Sequence, residues 1–300
     1  MKLDKHNVDI SIVLFAGVLW SFGALIVRNL ENPSEVAWQY LLFRGLTVFI
    51  FLNIFLFIKE GKSFIKNYFH IGISGCLGGI GIALAAIGFI LSLTSTSAAN
   101  TLLMLAVMPF ITAILAYIFL REKVSITTWI SIAIASIGII FMAYNNTDFN
   151  DFLGIAFGLL SSLGFAMFAV TLRWKKDTPK FTTVALGGLF CFIISLLALF
   201  FSESDFVMNF KNSSLSTLHG FLVCSGFVLF TAGSKNLPAA ELTLLSLTEV
   251  LGGVFWVWLP IFGINEIPTT NTIIGGSIIT FALIYYSLNT KRNRRFIGLN

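Results

Sequence analysis

The chain has 300 residues, 57% of them hydrophobic and only 11% charged, with mean hydropathy +0.90. A soluble domain carries about 25% charged residues, so this sequence cannot cover a water-facing surface, and the bilayer is its natural solvent. The net charge of +5 does not point to nucleic acid, because Lys and Arg sit in short connections between apolar runs and gather on no soluble domain.

In chain order, ten runs approach the roughly 20 apolar residues that a membrane-crossing helix needs: 10–27, 36–58, 70–92, 98–120, 126–144, 152–172, 181–201, 216–234, 238–261 and 271–289. The first run is too long for the apolar core of a signal peptide, and Ala24–Arg28 lacks a small-x-small cleavage site, so it is expected to stay in the membrane. The runs are continuous, whereas strands of a membrane barrel would alternate over about ten residues. With the N-terminus inside, sixteen of the 19 Lys and Arg fall on the inner side, Arg28 and Lys211 fall outside, and Arg44 lies within a span. That bias predicts a multi-pass protein of the cell (inner) membrane with both termini cytoplasmic.

Cys76, Cys191 and Cys224 are odd in number and all lie in apolar runs, so they read as core residues rather than a disulfide framework. His6, His70 and His219 are scattered near predicted helix ends without metal-ligand spacing, and no cofactor is expected. The glycine-rich run Gly75–Gly81 lies inside a span with no strand before it, which favours close helix packing over a phosphate loop, and Gly154 and Gly158 read the same way.

A shift of 141 residues aligns the two halves. Gly17, Leu19, Ser21 and Gly23 fall on Gly158, Leu160, Ser162 and Gly164, and Ala98-Ala99 falls on Ala239-Ala240; at a shift of 144, Glu122 meets Glu266. Five crossings per unit is odd, so the second unit enters the membrane from the opposite face. The predicted fold is therefore all-α and integral to the membrane, with ten transmembrane helices in two inverted five-helix repeats, 1–147 and 148–300. Inverted repeats serve alternating access in secondary transporters.

These features resemble the drug/metabolite transporter superfamily, specifically its EamA-type branch. The resemblance is carried by Leu19-Trp20-Ser21, Arg44, Pro109, Arg121-Glu122-Lys123, Leu245-Ser246-Leu247-Thr248-Glu249, Trp256-Val257-Trp258, Asn265-Glu266-Ile267-Pro268-Thr269 and Gly275-Gly276. Val250, where a proline often follows the glutamate, and Ser131, where glycine is usual, depart from the pattern. The resemblance implies a ten-helix bundle around a cavity lined by spans 1, 3, 4, 6, 8 and 9, and export or exchange of amino acids or related metabolites.

Within the spans, Glu249 lies about eleven residues in, near the midplane, where a carboxylate is costly and usually faces a cavity, a partner or a proton path. It is the candidate for proton coupling. Helical spacing puts Leu242, Leu245, Ser246, Gly253 and Trp256 on or near its face. Trp256 reads either as a cation–π wall or as part of the outer aromatic belt. Arg44 reads either as a carboxylate ligand or, more readily, as a structural residue pairing with helix-end carbonyls. Pro109 frees the carbonyl of Leu105, and with it Asn100 and Met104 are candidate lining from the fourth span. Trp20, Ser21 and Ser162 complete the candidate set, while Glu122 and Glu266 read as loop anchors.

A membrane enzyme would need clustered ionisable groups at one depth, and none appears, so the chain reads as non-enzymatic. The expected function is secondary active export of amino acids or related small polar metabolites by alternating access, with a small-molecule substrate, protons as the candidate coupling ion, the lipid bilayer as surroundings and no nucleic-acid partner. The alternatives are a multidrug or hydrophobic-cation carrier, an uptake carrier, or a non-transporting membrane protein.

Overall fold

Length and hydropathy explain the elements directly. The computed structural model describes residues 5–143, 149–175, 177–264, 267 and 270–296, and every regular element among them is helical. In chain order these are α1 (Lys5–Arg28), α2 (Ala37–Glu60), a 3₁₀ turn and the short α3 (Ile65–Phe69), α4 (Gly72–Ser95), α5 (Ala98–Leu105), α6 (Met108–Leu115) and α7 (Ile126–Ala143). The second half holds α8 (Phe149–Trp174), α9 (Lys180–Phe201), α10 (Phe210–Gly233), α11 (Ala239–Leu245), α12 (Thr248–Trp258) and α13 (Thr270–Phe296).

Seven stretches among the described residues are long and apolar enough to cross a bilayer, and three shorter apolar helices, Met108–Leu120, Ile126–Gly138 and Ile273–Tyr286, lie where the sequence predicts the remaining spans. Large apolar side chains such as Phe15, Ile58, Phe119, Phe201 and Phe281 point outward, as a lipid-facing surface requires.

Inside, small residues bring backbones together. A Cβ on Gly81 would run into the carbonyl of Gly164, and one on Gly164 into the carbonyl of Gly81, so α4 and α8 cross at two facing glycines. Gly45 and Gly188 do the same for α2 and α9, and Gly138 packs against the backbone of Gly275 between α7 and α13. This is the packing role predicted for Gly81, and Gly154 and Gly158 have it too, against Thr96 and Met104. The helices of the first half pack chiefly on those of the second: α2 on α9, α4 on α8, α1 on α10 and α12, and α7 on α13.

Two predicted continuous spans are broken. The fourth divides into α5 and α6 across Ala106-Val107, with Pro109 in the first turn of α6. The ninth divides into α11 and α12 across Ser246-Leu247. Both breaks tighten to i→i−3 bonds, Val107 N to Met104 O in one and Leu247 N to Leu244 O in the other. Proline explains the first break. The second has none, and there Ser246 and Thr248 turn their hydroxyls back onto the carbonyls of Thr243 and Leu245, which bends helices by competing with the backbone ladder. Glu266, predicted as a loop anchor, lies outside the described residues.

Candidate functional site: a central cavity between two broken helices

The two breaks border a common cavity of about 60 Å³. Its walls include Trp20 of α1, Arg44, Gly45 and Val48 of α2, Ala85 and Phe89 of α4, Leu105 and Met108 at the first break, and Glu249 at the second. Ser161 and Phe165 of α8, Gly188 and Cys191 of α9, and His219 and Phe227 of α10 close it. All six spans expected to line it contribute, the fourth through both α5 and α6, and α2 and α9 are additions that carry Arg44 and Cys191. The volume accommodates a few water molecules and is far below the roughly 300–1,000 Å³ of a ligand pocket, so the walls stand close together in this conformation.

The structure brings Trp20, Arg44 and Glu249 together at this cavity. Glu249 is half-buried in the first turn of α12, where unpaired backbone N–H groups make a site favourable to negative charge. Arg44 is 7% exposed, and its Nε has no hydrogen-bond partner. The described ion pairs, Lys59–Glu60, Glu122–Arg173 and Glu31–Lys211, do not involve it. Trp20 donates its indole N–H to the carbonyl of Val223 at 3.2 Å and sits among Phe165, Phe227 and Phe230, with ring centroids 5.1–5.4 Å away.

The other predicted residues support the site without lining it. Ser162 donates to the carbonyl of Met104 at 2.6 Å, a second bond on the group that accepts from Val107 N at the first helix break. Asn100 donates to Thr96 Oγ1 at 2.9 Å in the first turn of α5. Trp256 donates from its indole to Ser21 Oγ at 2.8 Å and stacks on Phe22, fastening α12 to α1. Ser246 is buried in its own break. The single helical face drawn from Leu242 to Trp256 does not persist, because the break at Ser246-Leu247 resets the phase between α11 and α12.

His219 was missed. It lies nine residues into α10, 2% exposed, with Nδ1 2.8 Å from the hydroxyl of Tyr40. The sequence places the eighth span at 216, which leaves His219 near a helix end; the helix begins at Phe210, through a polar stretch with a low apolar signal. The side-chain cap of Asn209 on the N–H of Asn212 was the available cue for that start.

At the face that the charge count assigns to the cytoplasm, Glu122 accepts from Arg173 Nε and from the amide of Ala239, and Arg173 also donates to the carbonyl of Leu237 at 2.9 Å. This network ties the chain after α6 to α8 and to the start of α11, which agrees with an anchoring role for Glu122. At the opposite face Arg28, ending α1, donates to the carbonyls of Leu93 and Thr96 beside the start of α5.

A helical bundle of apolar spans, with broken helices bordering a mainly apolar cavity that holds Arg44, His219 and Glu249, is an arrangement that suits an integral membrane transporter. Residues 9–144 match the EamA-like transporter family. The chain is 26% identical to "Uncharacterized transporter YdfC" of Bacillus subtilis (strain 168) over 232 residues, covering 74% of this chain and 73% of that protein. A solved crystal structure shares the fold with a TM-score of 0.68 over 94% of this chain and 98% of that one, at 15% identity. Through residues 9–144 the chain is thus similar to the EamA-like transporter family, and the family match and the relative together support a membrane transporter.

Proposed function

We propose that the chain is a secondary active transporter that exports amino acids or related small polar metabolites by alternating access, coupled to protons through Glu249. The observation that carries this reading is the position of Glu249: half-buried, in the first turn of a broken helix, on the same cavity as Arg44 and Trp20. The groups that surround it there are Arg44 on α2, Cys191 on α9 and His219 on α10. A carboxyl group in that setting exchanges one proton or one ligand cation at a time, which is the requirement for coupled transport.

Ten spans in two inverted repeats, 1–147 and 148–300, are part of the same proposal, and the packing pairs support it. Under the shift of 141, α1 exchanges with α8, α4 with α10, and α5–α6 with α11–α12. The contacts of α4 with α8 and of α10 with α1 then become equivalent, as do those of α1 with α12 and α8 with α6. Ser161, which the shift equates with Trp20, donates to Ala85 O on α4 as Trp20 donates to Val223 O on α10. The carbonyl of Thr96, which accepts from Arg28, has its counterpart in the carbonyl of Leu237, which accepts from Arg173. Two quasi-equivalent halves of this kind can trade conformations and open one face, then the other.

The test is the profile of small molecules released by cells that express the wild type, Glu249→Gln or an empty vector, read by mass spectrometry. Selective release by the wild type alone is expected. Release profiles identical in all three strains would overturn export. Release that survives Glu249→Gln with its dependence on external pH intact would overturn the coupling role.

A further inference from the structure

We propose that the cavity contains an anion subsite, in which Arg44 and the Tyr40-anchored imidazole of His219 seat a carboxylate of the transported solute. The inference rests on the transport reading above and narrows its cargo to solutes that carry a carboxylate.

A buried guanidinium is stable only when paired or hydrogen-bonded, yet Arg44 is 7% exposed and its Nε has no partner. The structural alternative, pairing with helix-end carbonyls, is not what the side chain does: no such bond to Arg44 occurs among the described residues. Its neighbours at the cavity wall, Gly45 and Val48, offer no acceptor side chain. Glu249 is the one carboxylate among the residues described as lining the cavity, and it shares that cavity without an ion pair to Arg44. Two opposite charges that face one space without neutralising each other suit a solute placed between them.

His219 supplies the second half of the subsite. Its ring is held by Tyr40, 0% exposed, through the 2.8 Å contact at Nδ1. With the hydroxyl donating to Nδ1, the ring proton resides on Nε2, and the imidazole is a donor at the cavity wall. Gly23 makes room for it: a Cβ there would stand 2.9 Å from Nε2, so any side chain at position 23 would displace the imidazole. A planar guanidinium fork beside a neutral N–H donor matches the two oxygens of a carboxylate. The present volume of about 60 Å³ takes little more than that head group, so seating the rest of a solute requires the walls to part.

The test uses the full chain in lipid nanodiscs, read by thermal unfolding and by tryptophan fluorescence. The probes are leucine, 3-methylbutylamine, which lacks its carboxylate, and 4-methylpentanoate, which lacks its ammonium, together with the corresponding three compounds of methionine. Carboxylate-bearing probes are expected to bind and the amines to fail. Arg44→Lys, which keeps the charge and loses the fork, is expected to weaken carboxylate binding roughly tenfold or more, and His219→Gln and Tyr40→Phe to weaken it by less. Amines that bind wild type as well as the acids do, no response to any of the six probes, or a folded Arg44→Lys with unchanged carboxylate affinity would each overturn the subsite. Its failure and that of export are separable. Carboxylates that bind through Arg44 in a protein that releases nothing from cells would leave the subsite standing and sink export. Glu249-dependent release of cations that carry no carboxylate would do the reverse.

Discussion

Trp20 shows how a single side chain is fixed in this protein, and at what cost it can be disturbed. Its indole donates to Val223 O and is boxed by three phenylalanines, and a Cβ on Gly226 would overlap the ring itself. Overpacking of this kind costs about 1–3 kcal/mol, so Gly226→Val should lower the thermal midpoint of the purified protein. Adding Trp20→Phe should return part of the loss, because the two positions share one space; additive losses in the double variant would refute the contact. At this scale Trp20, Arg44 and Glu249 were legible in the sequence because each is an unusual residue at mid-span depth. His219 was not, because its depth depends on where α10 begins, and a polar first turn hides that start. Ser21 and Trp256 were each legible as polar groups in apolar runs, but their use on each other follows from the approach of α1 to α12.

At the scale of elements, the two broken helices border the central cavity. In the first, Pro109 makes the break readable from sequence; in the second, Val250 stands at the position that the shift of 141 equates with Pro109. Its N–H makes only the tight bond to Leu247 O at 3.0 Å, in the first turn of α12. A proline there costs one short bond in a turn that already tolerates irregularity. Val250→Pro should therefore destabilise by under about 1 kcal/mol, while Val254→Pro, one turn deeper in α12, should cost about 3 kcal/mol or more. Thermal unfolding of the two variants side by side checks this, and equal losses would mean that α12 does not begin at Thr248. The break without proline was illegible because serine and threonine inside an apolar run are compatible with a straight helix; their hydroxyls bend it only when the surrounding packing accepts the bend.

For the whole molecule, the charge count and the repeat predict an even number of crossings with both termini inside. Reporter fusions at the N-terminus, at the C-terminus and in the connection at Ser204 should place both termini in the cytoplasm and Ser204 outside. Termini on opposite faces would mean an odd number of crossings and would remove the inverted repeat. The intertwining of the halves, α2 on α9 and α4 on α8, also means that neither half buries its own small-residue faces. Residues 1–147 expressed without the remainder should accordingly fail to give a monodisperse protein in detergent.

Composition and spacing alone determined that this chain lives in a bilayer, that its elements are helices, and which charges lie within apolar runs. These properties are one-dimensional: apolar length sets a span, and positive charge sets its direction. Only the tertiary structure decided that Arg44 and Glu249 face one cavity without pairing, that His219 joins them, and that Trp256 is occupied by Ser21. Each of those depends on the distance between helices far apart in the chain. That distance is set by where facing glycines such as Gly81 and Gly164 let two backbones touch, which residue spacing along one helix does not encode.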